Sequence, residues 1–339
     1  MVTSAQPTEA QSSATPESTE PGVVVTLWDW QTVLGPGEVC PPSAYDGEVA
    51  FVCETDVVID GVRRRIHTIP DGWLLDDALL GDGWVVIRQH DDATLEFQIL
   101  LYPVDGDPMV VDEGQGHIPQ VSFDGSFVAW NVRSDSGRQC IRVLAIATQQ
   151  RSDAVCSESS GFQWPYVRWP TLSYVEVADL ASDPCPTFTT LHLPDGTPER
   201  HEVHRCQAFN GAADEQAIIW TEAPIGSPFV ERSPVYGREP GGCRTISLGR
   251  GALGSHAVCD GRAYWISYDP DVQGGLEVRS WVPGGAIEVI YRPPTDARPT
   301  TKPECQGGWV SFERTREDLL PGIHDELIAA RVPGSSPAG

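Results

Sequence analysis

The chain has 339 residues, with 48 acidic side chains against 23 basic ones and a formal net charge of −25. That balance opposes binding to a phosphate backbone or to an anionic membrane surface, so nucleic acid is excluded as a partner. Cations, cationic peptides and neutral sugars stay open, and solubility is the simplest use of the surplus acid. No apolar run reaches the roughly 18 residues a transmembrane helix needs.

Residues 1–22 are rich in Ser, Thr, Pro and Glu, and read as a disordered tether without the apolar core of a secretion signal. This fits a mature secreted protein or lipoprotein whose leader has been removed, with a lipid anchor possible upstream of the tether. Val23 to Trp30 then forms an isolated strand, with Trp28 and Trp30 alternating on one face as core positions. Residues 334–339 form a short flexible tail.

Between these ends one phrase recurs. In Val121 to Trp130 the Asp124-Gly125 pair is a two-residue turn signal, followed by an alternating strand. Asp46-Gly47, Asp82-Gly83 and Asp260-Gly261 repeat it, and Gln306-Gly307 does so loosely. The bulky residues that close the second strand of each unit are Phe51, Ile87, Trp130, Tyr174, Trp220, Trp265 and Phe312, at intervals of 36 to 47 residues; Tyr174 and Trp220 lack the Asp-Gly turn, so their units rest on spacing and pattern. That is the length of a four-stranded propeller blade. The third unit reads as strands Ile118–Phe123, Ser126–Val132, Cys140–Thr148 and Ser152–Cys156. The sixth reads as Ser255–Cys259, Arg262–Tyr268, Leu276–Val282 and Ala286–Tyr291. The last unit lacks a fourth strand after Glu326–Val332. The expectation is an all-β, seven-bladed β-propeller over residues 23–333, in which Val23–Trp30 pairs with Glu326–Val332 and closes the ring. A six-bladed ring with the short second unit merged is the alternative.

The phrase Ser122-Phe123-Asp124-Gly125 resembles the Ser-Pro-Asp-Gly turn of TolB-like, WD40-like bacterial propeller repeats, with phenylalanine in place of proline. The resemblance implies an extracytoplasmic propeller. Its families include periplasmic scaffolds, peptidase-associated propellers and polysaccharide-active enzymes, so it bears on fold and leaves function open.

There are nine cysteines and no Cys-x-x-Cys pair. Spacing within the repeat suggests strand-to-strand disulfides Cys40–Cys53, Cys140–Cys156, Cys185–Cys206 and Cys243–Cys259, with Cys305 left over. Cys40–Cys305 across the closure, or buried reduced thiols throughout, are the alternatives. Disulfides would place the chain in an oxidising, extracytoplasmic compartment.

Several motifs are weaker. Gly249 to Gly254 matches Gly-x-Gly-x-x-Gly, but a strand pattern follows it, so it reads as a loop between units and not as a dinucleotide site. Asp269 to Gly274 imitates a calcium loop, yet Ser280 stands where a bidentate glutamate is needed. Arg63-Arg64-Arg65 reads as a solvated strand. Lys302, the sole lysine, follows a proline-threonine loop with no sign of burial.

Two candidate sites remain. His117, His204 and His256 stand near the starts of innermost strands, where they could line the channel and bind a divalent metal. The resemblance includes propellers that use histidine-lined metal sites for uronate cleavage. Trp164, Tyr166, Arg168 and Trp169 form an aromatic and cationic group able to stack a sugar or a peptide side chain. The functional expectation is a monomeric binding or scaffolding module for a protein or glycan ligand, without a cofactor. A lyase-like carbohydrate-active enzyme using the histidines is the alternative.

Overall fold

The computed structural model describes residues 21–34, 42–45, 48–53, 55–59, 62–104, 106–133, 137–177, 186–194, 196–201, 208–223, 232–242, 244–268, 275–300, 302–316 and 325–334. Their regular structure is all β, and no helix among them is long and apolar enough to cross a membrane.

The strands form small antiparallel meanders, as the turn-and-alternation pattern dictates. One four-stranded sheet runs Trp73–Gly81, Trp84–Asp91, Glu96–Pro103, Met109–Gln115. Thus the short second unit has a sheet of its own. The next contains Val121–Phe123, Phe127–Arg133, Gln139–Ala145 and Gln150–Ser157, and another contains Gly161–Arg168, Thr171–Val177, Thr187–His192 and Glu199–Arg200. Pro42–Tyr45 to Val62–Arg65 make a further one. Successive small sheets packed face to face, with their first strands meeting at a common centre, are a β-propeller.

The anchor residues fill the interfaces between these sheets. Trp130, Trp220, Trp265, Tyr174, Phe312 and Ile87 are all fully buried. Each sits on the strand after the turn, where alternation turns it towards the neighbouring sheet.

The glycine run departs from its expected loop. Ile246–Cys259 is one strand of 14 residues shared by two four-stranded halves, and Val23–Val25 at the edge brings the joined sheet to eight strands. Gly249 takes a left-handed φ of 96° and the register shifts on both sides of the run. A bulged strand can therefore pass continuously from the edge of one half to the centre of the next.

The closing strand is also displaced from the expected position. Gln31–Leu34, not Val23–Trp30, lies antiparallel to Asp325–Arg331. Val23–Val25 instead pairs in parallel with Ile287–Val289 on the neighbouring sheet. Trp28 and Trp30 fill the space between, half-buried, with ring centroids 6.2 Å apart. Trp30 packs on Tyr291 and Phe312 and donates its indole N–H to the Ile290 carbonyl at 2.8 Å. Hydrophobicity suits Val23–Val25 to either edge; the two tryptophans need the intervening seam, and this fixes the register.

Two disulfides join described cysteines. Cys140–Cys156 links the third and fourth strands of one sheet. Cys259 pairs with Cys305, which corrects the expected Cys243–Cys259 link and gives Cys305 a partner. Cys259 ends the first strand of its sheet and Cys305 lies in the first strand of the next, so their side chains meet near the centre. Cys40, Cys185, Cys206 and Cys243 lie outside the described residues, as does the side chain of Cys53.

Candidate functional site: two cavities on the central axis

The repeated turns meet at one end of the axis. Asp124 accepts the amides of Ser126 and Phe127 on Oδ1 at 2.9 and 2.7 Å, which closes its own turn. Its Oδ2 accepts the amide of Trp169 from the next sheet at 2.8 Å. Asp214 repeats the pattern, with Gln216 and Ala217 on Oδ1 and Gly261 of the next unit on Oδ2 at 2.7 Å. The aspartate of the phrase is therefore a latch between neighbouring turns. The glycines allow the close approach: a Cβ on Gly81 would lie 2.1 Å from the Gln306 side chain, and one on Gly261 equally close to Gln216.

These turns surround an outer cavity of about 450 Å³. Asp124, Asp214, Glu215 and Asp260 supply carboxylates to it. Trp169, 44% exposed, stands at its rim and stacks on Phe127 with centroids 4.0 Å apart. Among the described residues, Arg168 is its only basic lining residue.

Arg168 also lines an inner cavity of about 430 Å³. It donates to three main-chain carbonyls from three sheets: Val258 from Nε at 3.2 Å, Phe123 from Nη1 at 3.4 Å and Cys305 from Nη2 at 2.8 Å. Its guanidinium lies 5.2 Å from the Tyr166 ring centroid. Burial opposes the Arg168 charge, but Tyr166, Asp124 and Glu304 outweigh it and its pKa rises. Tyr166 is anchored in turn, with its hydroxyl donating to the Val258 carbonyl at 2.9 Å and accepting the Val258 amide at 3.1 Å.

Lys302 lines the inner cavity as well, in contrast to its expected place in a solvated loop. Its side chain is 46% exposed yet surrounded by protein, as in the wall of a wet channel, and Nζ lies 2.9 Å from Glu304. Glu304 raises the Lys302 pKa, so the ammonium persists and lacks the free amine that Schiff-base chemistry requires. Asp77 pairs with Arg88 at 2.6 Å, and its pKa rises because burial outweighs Arg88 and Lys302. Asp76 accepts from His90 Nδ1 at 2.9 Å.

The aromatic group therefore divides by role. Tyr166 and Arg168 face the axis and Trp169 stands at the rim. Trp164 packs against a core cluster that includes Phe188 and Trp220, away from both cavities. Among the described residues, neither His117 nor His256 belongs to a group of three ligand atoms close enough to share an ion. Burial and Arg133 lower the pKa of His117, and its Nε2 has no partner. His256 is fully buried, both ring nitrogens lack partners, and burial with Lys302 pushes its pKa down to about 3. His204 lies outside the described residues. Among the described residues, the only group of three ligand atoms close enough to share an ion is Cys140, Asp153 and Cys156. Its two sulfurs are joined in a disulfide, so it offers no thiolate.

No protein-family model matches the sequence, and no curated protein matches it. Likeness lies with solved structures. A puromycin-hydrolyzing peptidase of Mycobacterium tuberculosis matches 84% of this chain at 13% identity and a TM-score of 0.52. The chain spans about half of that peptidase, 52% of its length. An oligogalacturonate lyase in complex with manganese matches 91% of this chain and 97% of its own at 9% identity, with a TM-score of 0.52. TolB from Acinetobacter baumannii matches 74% of this chain and 64% of its own at 13% identity. Its TM-score of 0.43 is too low to carry the family resemblance. At these identities the comparisons speak to fold alone.

Proposed function

We propose that this chain is an extracytoplasmic binding module, a seven-bladed propeller that recognises a cationic segment of a protein partner at its outer cavity. The observation that carries this reading is the rim itself. Among the described residues, four carboxylates and an exposed tryptophan surround a cavity of about 450 Å³ whose only basic group is Arg168. A lysine or arginine side chain would find carboxylates for its charge and an aromatic face for its stem. Field lines focused by such a mouth also steer cations towards it.

The supporting arrangement is a single propeller over residues 23–333 behind a tether. The pairing of Gln31–Leu34 with Asp325–Arg331 favours closure of the last blade by the N-terminal strand. The eight-stranded sheet counts as two blades sharing one long strand. Two disulfides favour an oxidising compartment. Of the three histidines of the lyase-like alternative, His256 is buried in the core and His204 lies outside the described residues.

Titration of the whole chain with a labelled oligolysine peptide and with a neutral oligosaccharide tests the reading. Oligolysine should bind, with an affinity that falls as salt is raised. Binding of the sugar alone would overturn the cationic assignment and favour a glycan ligand.

A further inference from the structure

The inner cavity differs in chemistry from the outer one. Its carboxylates are already engaged: Asp77 with Arg88, Glu304 with Lys302, and Asp76 with His90. Arg168 alone among its charged lining groups has no carboxylate within ion-pair distance among the described residues; its partners are three carbonyls and the Tyr166 side chain. A guanidinium has five N–H donors. The carbonyls take one each from Nε, Nη1 and Nη2, so each Nη keeps a second N–H on the fork that Tyr166 flanks. Two N–H groups on one planar fork match the two oxygens of a carboxylate.

The surroundings define the rest of the ligand. Lys302 places a second, solvent-accessible cation on the same cavity. His256, buried and with both ring nitrogens unpartnered, lies close enough to Lys302 to feel its charge, so the polar network on that side is incomplete. The lining also includes the apolar residues Leu75, Leu79, Val121 and Phe123. At about 430 Å³ the space is that of a small-molecule site.

We propose that the inner cavity binds a carboxylate carried on an apolar body, with the anionic head on Arg168 and Lys302 and the body along Leu75, Leu79 and Val121. The carboxylate could belong to a free organic acid or to the C-terminus of a peptide, and the same chemistry recognises both. The proposal concerns a different cavity and a different charge from the outer site, and does not depend on it.

The test is calorimetric titration of the full chain with hexanoate, with hexanol as the uncharged control, and with a leucine-ending tetrapeptide as free acid and as amide. Hexanoate or the peptide acid should bind, and hexanol and the amide should not. Tighter binding of the peptide acid assigns the site to a chain terminus, and tighter binding of hexanoate assigns it to a free acid. Lys302→Met should weaken the bound probe by about tenfold or more. Arg168→Gln should abolish binding; because Arg168 also ties three sheets together, Lys302→Met serves as the variant that spares the fold. The double change Glu215→Gln with Asp260→Asn, which removes outer charge, should leave hexanoate or peptide-acid binding unchanged. Absence of binding by both acids, equal binding of acid and amide, or unchanged affinity in Lys302→Met would overturn the proposal.

Discussion

Asp214 and Glu215 are neighbours in sequence and line the same cavity, but they are used differently. Both oxygens of Asp214 accept backbone amides, two from its own turn and one from the next unit. Glu215 is 60% exposed, and one of its oxygens lies 3.7 Å from the His192 Nε2. A carboxylate whose lone pairs are spent on amides holds the scaffold together, whereas one that faces water remains available to a ligand. The comparison extends to the whole centre of the molecule. Tyr166, Cys259 and Asp124 join sheets, while Glu215, Asp260 and Trp169 border open space.

The sharpest way to break this comparison is to cut a joint. Replacing Cys259 and Cys305 by serine opens a loop of 46 residues and should cost about 4 kcal/mol in chemical denaturation. The Cys140–Cys156 pair, 16 residues apart, should cost about 3 kcal/mol. Equal stability of either variant and the parent would show that the joint contributes nothing. Asp214→Ala leaves three amides without their acceptor and should destabilise by about 3 kcal/mol, with Asp124→Ala close to it.

Acid should expose a second weakness of the interior. Burial, with Arg238, holds the His201 pKa at about 4, and burial with Lys302 holds that of His256 at about 3, against an ordinary 6.5. The unfolded chain therefore takes up protons that the folded chain refuses. Their contribution is complete above pH 6.5 and is lost as pH falls towards 4 and then 3. A loss on the order of 2 kcal/mol from each histidine, about 4 kcal/mol together, is expected between about pH 6.5 and about pH 4.5, and His256→Leu should roughly halve that slope. A slope unaffected by His256→Leu would remove this histidine from the account. The smallest effects belong to the rim: Glu215→Gln and Asp260→Asn should each change stability by less than about 0.5 kcal/mol.

Many of the residues that form joints were legible in the sequence, and of those that border the cavities Tyr166, Arg168 and Trp169 were named there too. Trp130 and Trp265 could be placed because a turn signal and strand alternation are local, and Trp220 because its spacing repeats theirs. The Asp-Gly turns were equally visible, although the inter-sheet use of Asp124 Oδ2 required the neighbour 45 residues away. Lys302 was misplaced because its surroundings come from Tyr166, Asp77 and His256, all remote in sequence. Cys259–Cys305 was missed for the same reason, since spacing does not fix connectivity. The N-terminal strand paired with Asp325–Arg331 was set eight residues too early at its start, at Val23 where Gln31 begins the pairing, because three valines suit either sheet edge.

One measurement bears most directly on the outer cavity as a recognition site. Oligolysine is titrated into the parent chain and into the Glu215→Gln, Asp260→Asn double variant at the same ionic strength. Only two of 48 acidic residues change, so attraction to the overall charge of −25 would barely respond. The site described here predicts at least a tenfold loss of affinity with stability unaltered. Equal binding by the two proteins would contradict it.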